Sequence, residues 1–215
     1  DAPPLISLYN YILIYRKSYS IFSYRRVRST FRKAVNTQEM EKCMQQEITR
    51  VALDAMGGDN APGELVKGAV DAVNGRSDIK VLLVGQQDVV EKELKQYSYP
   101  KEQIEVVHAE EVIETAEPPV NAIRKKKQSS IVVGMNMVKQ KEADAFVSAG
   151  SSGAILVGGQ VIVGRIRGIE RPPLAPLIPT EKGVSLLIDC GANVDARASH
   201  LVQFCLLYTS DAADE

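Results

Sequence analysis

Val51-Ala-Leu-Asp-Ala-Met-Gly-Gly-Asp-Asn-Ala-Pro62 is the stretch on which the reading of this chain turns. Arg50–Ala55 is a short run of strand-forming character, and it gives way at once to a turn built on Gly57 and Gly58. Asp59 or Asn60 is placed to cap a following helix, with Pro62 tolerated in its first turn. Beyond it Leu65, Val66, Ala69, Val70 and Val73 fall on one helical face, the stripe of a helix laid on a sheet. Strand, glycine turn and amphipathic helix in that order are the opening of an α/β unit.

The alternation continues downstream. Lys80–Val84 reads as a buried strand ended by Gly85, Asp88–Gln96 as a helix, and Ile104–Ala109 as a third strand. Pro118-Pro119 starts a helix that carries Arg124–Lys127, and Ser129–Gln140 keeps helical spacing through Val133, Met137 and Gln140. Ala145–Ser148 is a short apolar strand feeding the loop Ala149–Gly153. Ala154–Gly164 reads as a buried helix, well below the length of a membrane span. Four prolines make Ile169–Pro179 an irregular connection, and Ser185–Asp189 reads as another buried strand. The expected fold class is α/β: three layers, with a mostly parallel sheet and helices on both faces.

Three of these strands end in small-residue loops bearing Asp or Ser: Asp54–Asp59, Ser148–Gly153 and Asp189–Asp195. In a parallel sheet the carboxyl ends share one edge, where ligands bind. Glycines there let the backbone approach a ligand and turn N–H groups toward an anion, and a helix start from Gly153 onward adds donors. No loop has the GxGxxG or GxxxxGK[ST] spacing of nucleotide sites. A single glycine loop is most simply a tight turn; three on one edge favour a small anion or a phosphate-bearing ligand.

Other candidates have two readings each. Asp54, Asp59, Asp189 and Asp195 suit acid–base work or metal ligation, but Asp also caps helices, the better reading for Asp59. His108 follows an apolar strand as a structural residue, and His200 is expected on the surface of a helix. Arg124–Lys127 is either a solvated helix end or a docking patch for an acidic partner. With only those two histidines and three scattered cysteines (Cys43, Cys190, Cys205), no metal site and no disulfide framework are expected.

Length and composition set the outer bounds: 215 residues, 45% apolar, 25% charged and a formal net charge of −1, which gives no whole-chain argument for nucleic acid or an acidic membrane surface, and no nucleic-acid partner is expected. The two ends differ from the middle. Residues 1–35 carry one acidic residue against seven basic ones, with seven aromatics between them. A transit peptide, a membrane-surface segment, a nucleic-acid arm and translated sequence upstream of a start at Met40 or Met44 compete there, the last being preferred. Residues 205–215 resemble a translated sequencing adapter. The expected division is 1–39 as extension, 40–204 as α/β domain and 205–215 as tail.

Val51–Pro62 closely resembles the opening signature of the phosphate acyltransferases of the PlsX type. The resemblance continues in order through Val107–Ile113, Pro119–Ser130, Ser148–Ala154, Val163–Pro172 and Asp189–Asp195, covering about Ile48 to Phe204. Ser151-Ser152 stands where the family often has Asn-Thr, and Cys190 where it often has Val. The resemblance implies a fold like that of isopropylmalate dehydrogenase and phosphotransacetylase, a homodimer, and cytoplasmic work at the inner membrane face. Peripheral membrane contact would come through a C-terminal half beyond this chain. The implied reaction converts acyl-[acyl carrier protein] and inorganic phosphate to acyl phosphate, for phospholipid synthesis, with no cofactor.

On that footing Asp54, Ser151, Ser152 and Asn193 are the expected catalytic residues. Gly57, Gly58, Gly150, Gly153, Arg165 and Gly191 are expected to hold phosphate or substrate, with Glu170 the simpler partner of Arg165. Lys125, Lys126 and Lys127 are expected to dock the acidic carrier protein. The competing functions are a phosphotransacylase using acyl-coenzyme A, a metal- and NAD-dependent decarboxylating dehydrogenase, and a truncated, non-catalytic phosphate-binding fragment.

Overall fold

The computed structural model describes residues 12–15 and 48–209, except 167, 182 and 194. The start at Met40 or Met44, most of the 1–39 extension and residues 210–215 of the expected tail lie outside the described residues.

The main sheet has five strands: β1 (Ile12–Tyr15), β2 (Thr49–Asp54), β3 (Ile79–Gly85), β4 (Ile104–His108) and β5 (Ala145–Ser148), in the order β1-β5-β2-β3-β4. β2 pairs parallel with β3 and β5, and β3 pairs parallel with β4. β1, from the stretch expected to stand apart as an extension, pairs antiparallel with β5 at the edge. The connections are α1 (Gly63–Gly75), α2 (Gln87–Leu94), α3 (Pro119–Lys125) and α4 (Ser130–Gln140), with α5 (Ser152–Gly158) after β5.

Period-two alternation along β3 sends its side chains into two separate cores. Val81 and Leu83 pack with Val66, Ala69, Val70 and Val73 of α1 and with Val90 and Leu94 of α2. Leu82 and Val84 pack on the other face with Ala52, Phe146 and the buried residues of α3, α4 and α5. The five-residue stripe expected on α1 is buried in full. At about 1.5–3 kcal/mol per large apolar side chain, that stripe is what holds the helix down. Gly134 sits mid-helix in α4, where glycine costs stability, because a Cβ there would run into the ring of the fully buried Phe146.

Four expectations need correction. α1 begins at Gly63 with Pro62 at its cap and no side-chain cap; Asp59 and Asn60 are exposed, and only the Asn60 carbonyl takes part, accepting from Glu64 N–H at 3.3 Å. The helix expected over Ala154–Gly164 is α-helical only to Gly158, then widens into a π-helical turn over Gly159–Val163. Its far half is not buried, with Val161 70% exposed. Two consecutive glycines allow the change, and Gly158 is required where α5 crosses α4, since a Cβ would strike Met135.

The apolar stretch Ser185–Asp189 is not a buried parallel strand either. β7 (Gly183–Leu186) forms an antiparallel two-stranded sheet with β6 (Leu177–Thr180), and Leu186 and Leu187 are exposed. Two residues, 181 and 182, join these strands, and a parallel pair would need a crossover of a dozen or more. Finally, His200 is buried on α6 (Ala198–Thr209): its Nδ1 accepts from Arg197 N–H at 3.2 Å, its ring lies against Phe204, and Nε2 is 3.7 Å from the Glu170 carboxylate.

Candidate active site

The strand order itself locates the site. From β2 the chain steps outward to β3 and β4, then returns to place β5 on the other side of β2. The switch point of this parallel sheet therefore lies between the carboxyl ends of β2 and β5, where crevices form in open α/β sheets. The turn after β2 carries Gly57 and Gly58; the turn after β5 carries Gly150, Ser151, Ser152 and Gly153. The two turns touch. A Cβ on Gly150 would lie 3.4 Å from Gly57 Cα, and a Cβ on Gly58 would lie 3.2 Å from the Ala149 side chain. Gly58 also has φ +100°, a conformation that favours glycine.

Between the turns sits Asp54, the last residue of β2, 1% exposed. Four donors converge on its carboxylate. Ser148 Oγ donates to Oδ2 at 2.7 Å and Met56 N–H to Oδ1 at 3.0 Å, and the Ser130 hydroxyl and Gly57 N–H complete the set. Burial pushes the Asp54 carboxyl above its ordinary value, against the downward pull of those same four bonds. Ser148 Oγ in turn accepts from Gly150 N–H at 3.0 Å.

Several of the expected site residues lie within this arrangement. The N–H groups of Gly57 and Gly150 face inward to Asp54 and Ser148 rather than toward a ligand. Ser151 is buried and caps α5, its Oγ accepting from Ala154 N–H at 3.3 Å. Ser152 is exposed at the start of that helix, and Gly153 packs on Pro119, where a Cβ would come within 2.7 Å of Cγ. The turn's outward face therefore comprises the Gly58 backbone and the Ser152–Gly153 segment.

The third expected loop belongs elsewhere. Asp189 follows the small β6–β7 sheet, not the parallel one. Its Oδ1 accepts from Leu174 N–H at 2.7 Å and its Oδ2 from Asn193 N–H at 2.7 Å; Asn193 Nδ2 also donates to Oδ2 at 3.1 Å, and Ala192 N–H to Oδ1 at 3.3 Å. Burial alone would raise this carboxyl, but its four donors bring it below the ordinary range. Asp189 is thus the hub of its own loop, with Gly191 exposed at φ +87° and Asn193 tied inward. Arg165 is exposed and donates from Nη1 to the Glu170 carbonyl, not to the carboxylate its pairing was expected to use.

Among the lysines, Lys126 is anchored: Nζ donates to the Val112 carbonyl at 2.7 Å and pairs with Glu117. Lys125 and Lys127 are exposed, with Lys127 Nζ reaching the Ile123 carbonyl at 3.2 Å. Their turn reaches the same edge, because Ser130, three residues after Lys127, bonds Asp54. That chain length spans no more than about 11 Å. His108 is exposed and accepts at Nδ1 from Gln87 N–H at 3.3 Å. No cluster of three metal-ligating side chains occurs among the described residues.

Comparison with known proteins decides the family. Residues 49–213 match the model of a family described as fatty acid synthesis protein. The chain belongs to that family, the phosphate acyltransferases of the PlsX type. A phosphate acyltransferase of Alkaliphilus oremlandii is 51% identical over 158 residues, covering 74% of this chain and 47% of that protein. One from Clostridium beijerinckii is 51% identical over 155 residues, covering 72% and 46%. The chain thus spans about half the length of the curated relatives it matches. A phosphotransacetylase structure from Streptococcus pyogenes superposes with a TM-score of 0.53 at 15% identity, over 80% of this chain and 57% of that one, which establishes the shared α/β fold. The family match runs past Phe204 into the stretch expected to be a tail. No described helix is long and apolar enough to cross a membrane.

Two residues of the site, Ser130 and Ser148, were not singled out by sequence. Ser148 had a usable signal: a hydroxyl at the end of a fully buried strand must find a partner. Ser130 had none, because its contact with β2 exists only once α4 packs across the sheet.

Proposed function

We propose that this protein is the catalytic crevice of a phosphate acyltransferase that moves an acyl group from a thioester to inorganic phosphate. The observation that carries the reading is the meeting of the β2 and β5 turns at the switch point, in a chain about half identical to phosphate acyltransferases over that same region. A phosphate oxygen attacks the thioester carbonyl, the tetrahedral intermediate collapses with loss of the C–S bond, and the proton of hydrogen phosphate leaves on the thiol. No enzyme nucleophile is needed. The protein's task is to hold phosphate against the carbonyl and to aim donors at the developing oxyanion. The Gly58 backbone and the Ser152–Gly153 turn are the groups this crevice offers. Asp54 and Ser151 support them from behind.

The acyl donor is an acyl carrier protein. Carrier proteins are acidic, and the exposed Lys125 and Lys127 stand on a turn tethered to Asp54 through Ser130, a placement that suits an acidic partner beside the crevice. Arg165 stands in the segment before β6, and Gly191 and Asn193 in the loop after β7. A homodimer and peripheral membrane contact are left to parts of the longer relatives that this chain does not span. The test is acyl phosphate formation from palmitoyl-carrier protein and from palmitoyl-coenzyme A, each with and without phosphate. Phosphate-dependent turnover of the carrier substrate supports the reading, and preference for coenzyme A would make the protein a phosphotransacylase.

A further inference from the structure

We propose that Ser148 and Ser130 are positioning residues of the phosphate crevice, acting through Asp54 to fix the spacing of the two glycine turns. The inference rests on the function proposed above. It starts from one hydroxyl with two duties: Ser148 Oγ donates to Asp54 Oδ2 at 2.7 Å and accepts from Gly150 N–H at 3.0 Å. A single atom therefore ties the end of β2 to the turn after β5. Ser130 brings the first turn of α4 to the same carboxylate, and Met56 N–H and Gly57 N–H close it from the β2 side.

There is no slack in this cluster. A Cβ on Gly57 would meet Asp54 Oδ2, Gly150 N at 2.8 Å and Ser148 Oγ at 3.0 Å. Ser148 and Ser130 are 0% and 1% exposed, so neither hydroxyl has water as a substitute partner. Stability alone does not call for such a device, since apolar side chains of similar volume would fill the space without the desolvation cost of a buried carboxylate. What a fully bonded polar cluster adds is direction. It sets where each turn's backbone points, and here the turns point at the crevice. Asp54 itself is 1% exposed, and its four donors hold its carboxylate within the cluster.

The experiment titrates the protein with inorganic phosphate by calorimetry across pH, for wild type, S148A, S148T and S130A, with melting temperatures alongside. S148A is expected to bind phosphate about tenfold more weakly, equivalent to 1.4 kcal/mol. The acid limb of its binding profile should move to higher pH, because the ionised Asp54 has lost a donor. S148T keeps the hydroxyl and should recover most of the affinity. If the added methyl prevents folding, S130A tests the same cluster from the α4 side and should show the same displaced limb. A lowered melting temperature with affinity and profile unchanged would overturn the positioning role while leaving the function standing. Wild-type protein that binds no phosphate would overturn the function itself.

Discussion

Replacing Gly57 with alanine attacks the site at its tightest point. Gly57 has no positive φ, so the backbone accepts alanine; the cost is steric. The new methyl would overlap Asp54 Oδ2 and lie 2.8 Å from Gly150 N and 3.0 Å from Ser148 Oγ. Two of these three neighbours are held by the surrounding cluster and the third is backbone, so none can swing aside as a flexible side-chain tip would. Overpacking of this kind costs about 1–3 kcal/mol. Displacing the carboxylate also weakens bonds worth about 1.5–3 kcal/mol each where a charged group is involved. A loss of about 3–5 kcal/mol follows, a large share of a typical domain's 5–15 kcal/mol. G150A is the internal control: its methyl would sit 3.2 Å from Ser148 Oγ, 3.4 Å from Gly57 Cα and 3.5 Å from Asp54 Oδ2, which a small shift relieves. It should cost about 1 kcal/mol. Urea unfolding followed by circular dichroism measures both. G57A within 1 kcal/mol of wild type, or G150A the costlier of the two, would refute the packing argument.

Other outcomes follow from the same structure. Asp189 has its carboxyl held below the ordinary range, so it stabilises its loop above about pH 4 and loses that contribution as pH falls through the depressed value. The protection of the Leu174 and Asn193 amides against hydrogen exchange, taken relative to the intrinsic rate at each pH, should therefore fall on acidification in wild type and be low at all pH values in D189A. The double variant K125E/K127E should weaken binding of an acidic carrier protein about tenfold at low salt, with the difference shrinking as ionic strength rises. K126A should instead lower thermal stability, because Lys126 is committed to Val112 and Glu117. Equal loss of carrier binding in all three lysine variants would contradict that division of labour.

Much of the fold was legible because its signals are local. The stripe on α1, the β-type runs of β2 to β5 and the start of α4 at Ser130 each depend on neighbours within a few residues. The glycine turns after β2 and β5 were legible for the same reason, and the parallel sheet then brings them together. What failed was long-range or degenerate. Val184 to Ile188 is apolar without a period that separates a buried parallel strand from an exposed hairpin, and its partner β6 lay hidden in a proline-rich stretch. The inward orientation of the Gly150 N–H could not be foreseen either, since it depends on Ser148 turning its hydroxyl to Asp54. The burial of His200 depends on Arg197, Phe204 and the distant Glu170. Composition places histidine on a surface; only the fold supplies those partners.

Acyl phosphate formation from palmitoyl-carrier protein, measured as a function of inorganic phosphate in wild type and S148A, tests the account most directly. Saturable, phosphate-dependent product in the wild type, with the phosphate requirement raised in S148A, is the result the crevice predicts. Thioester consumption that ignores phosphate would contradict it.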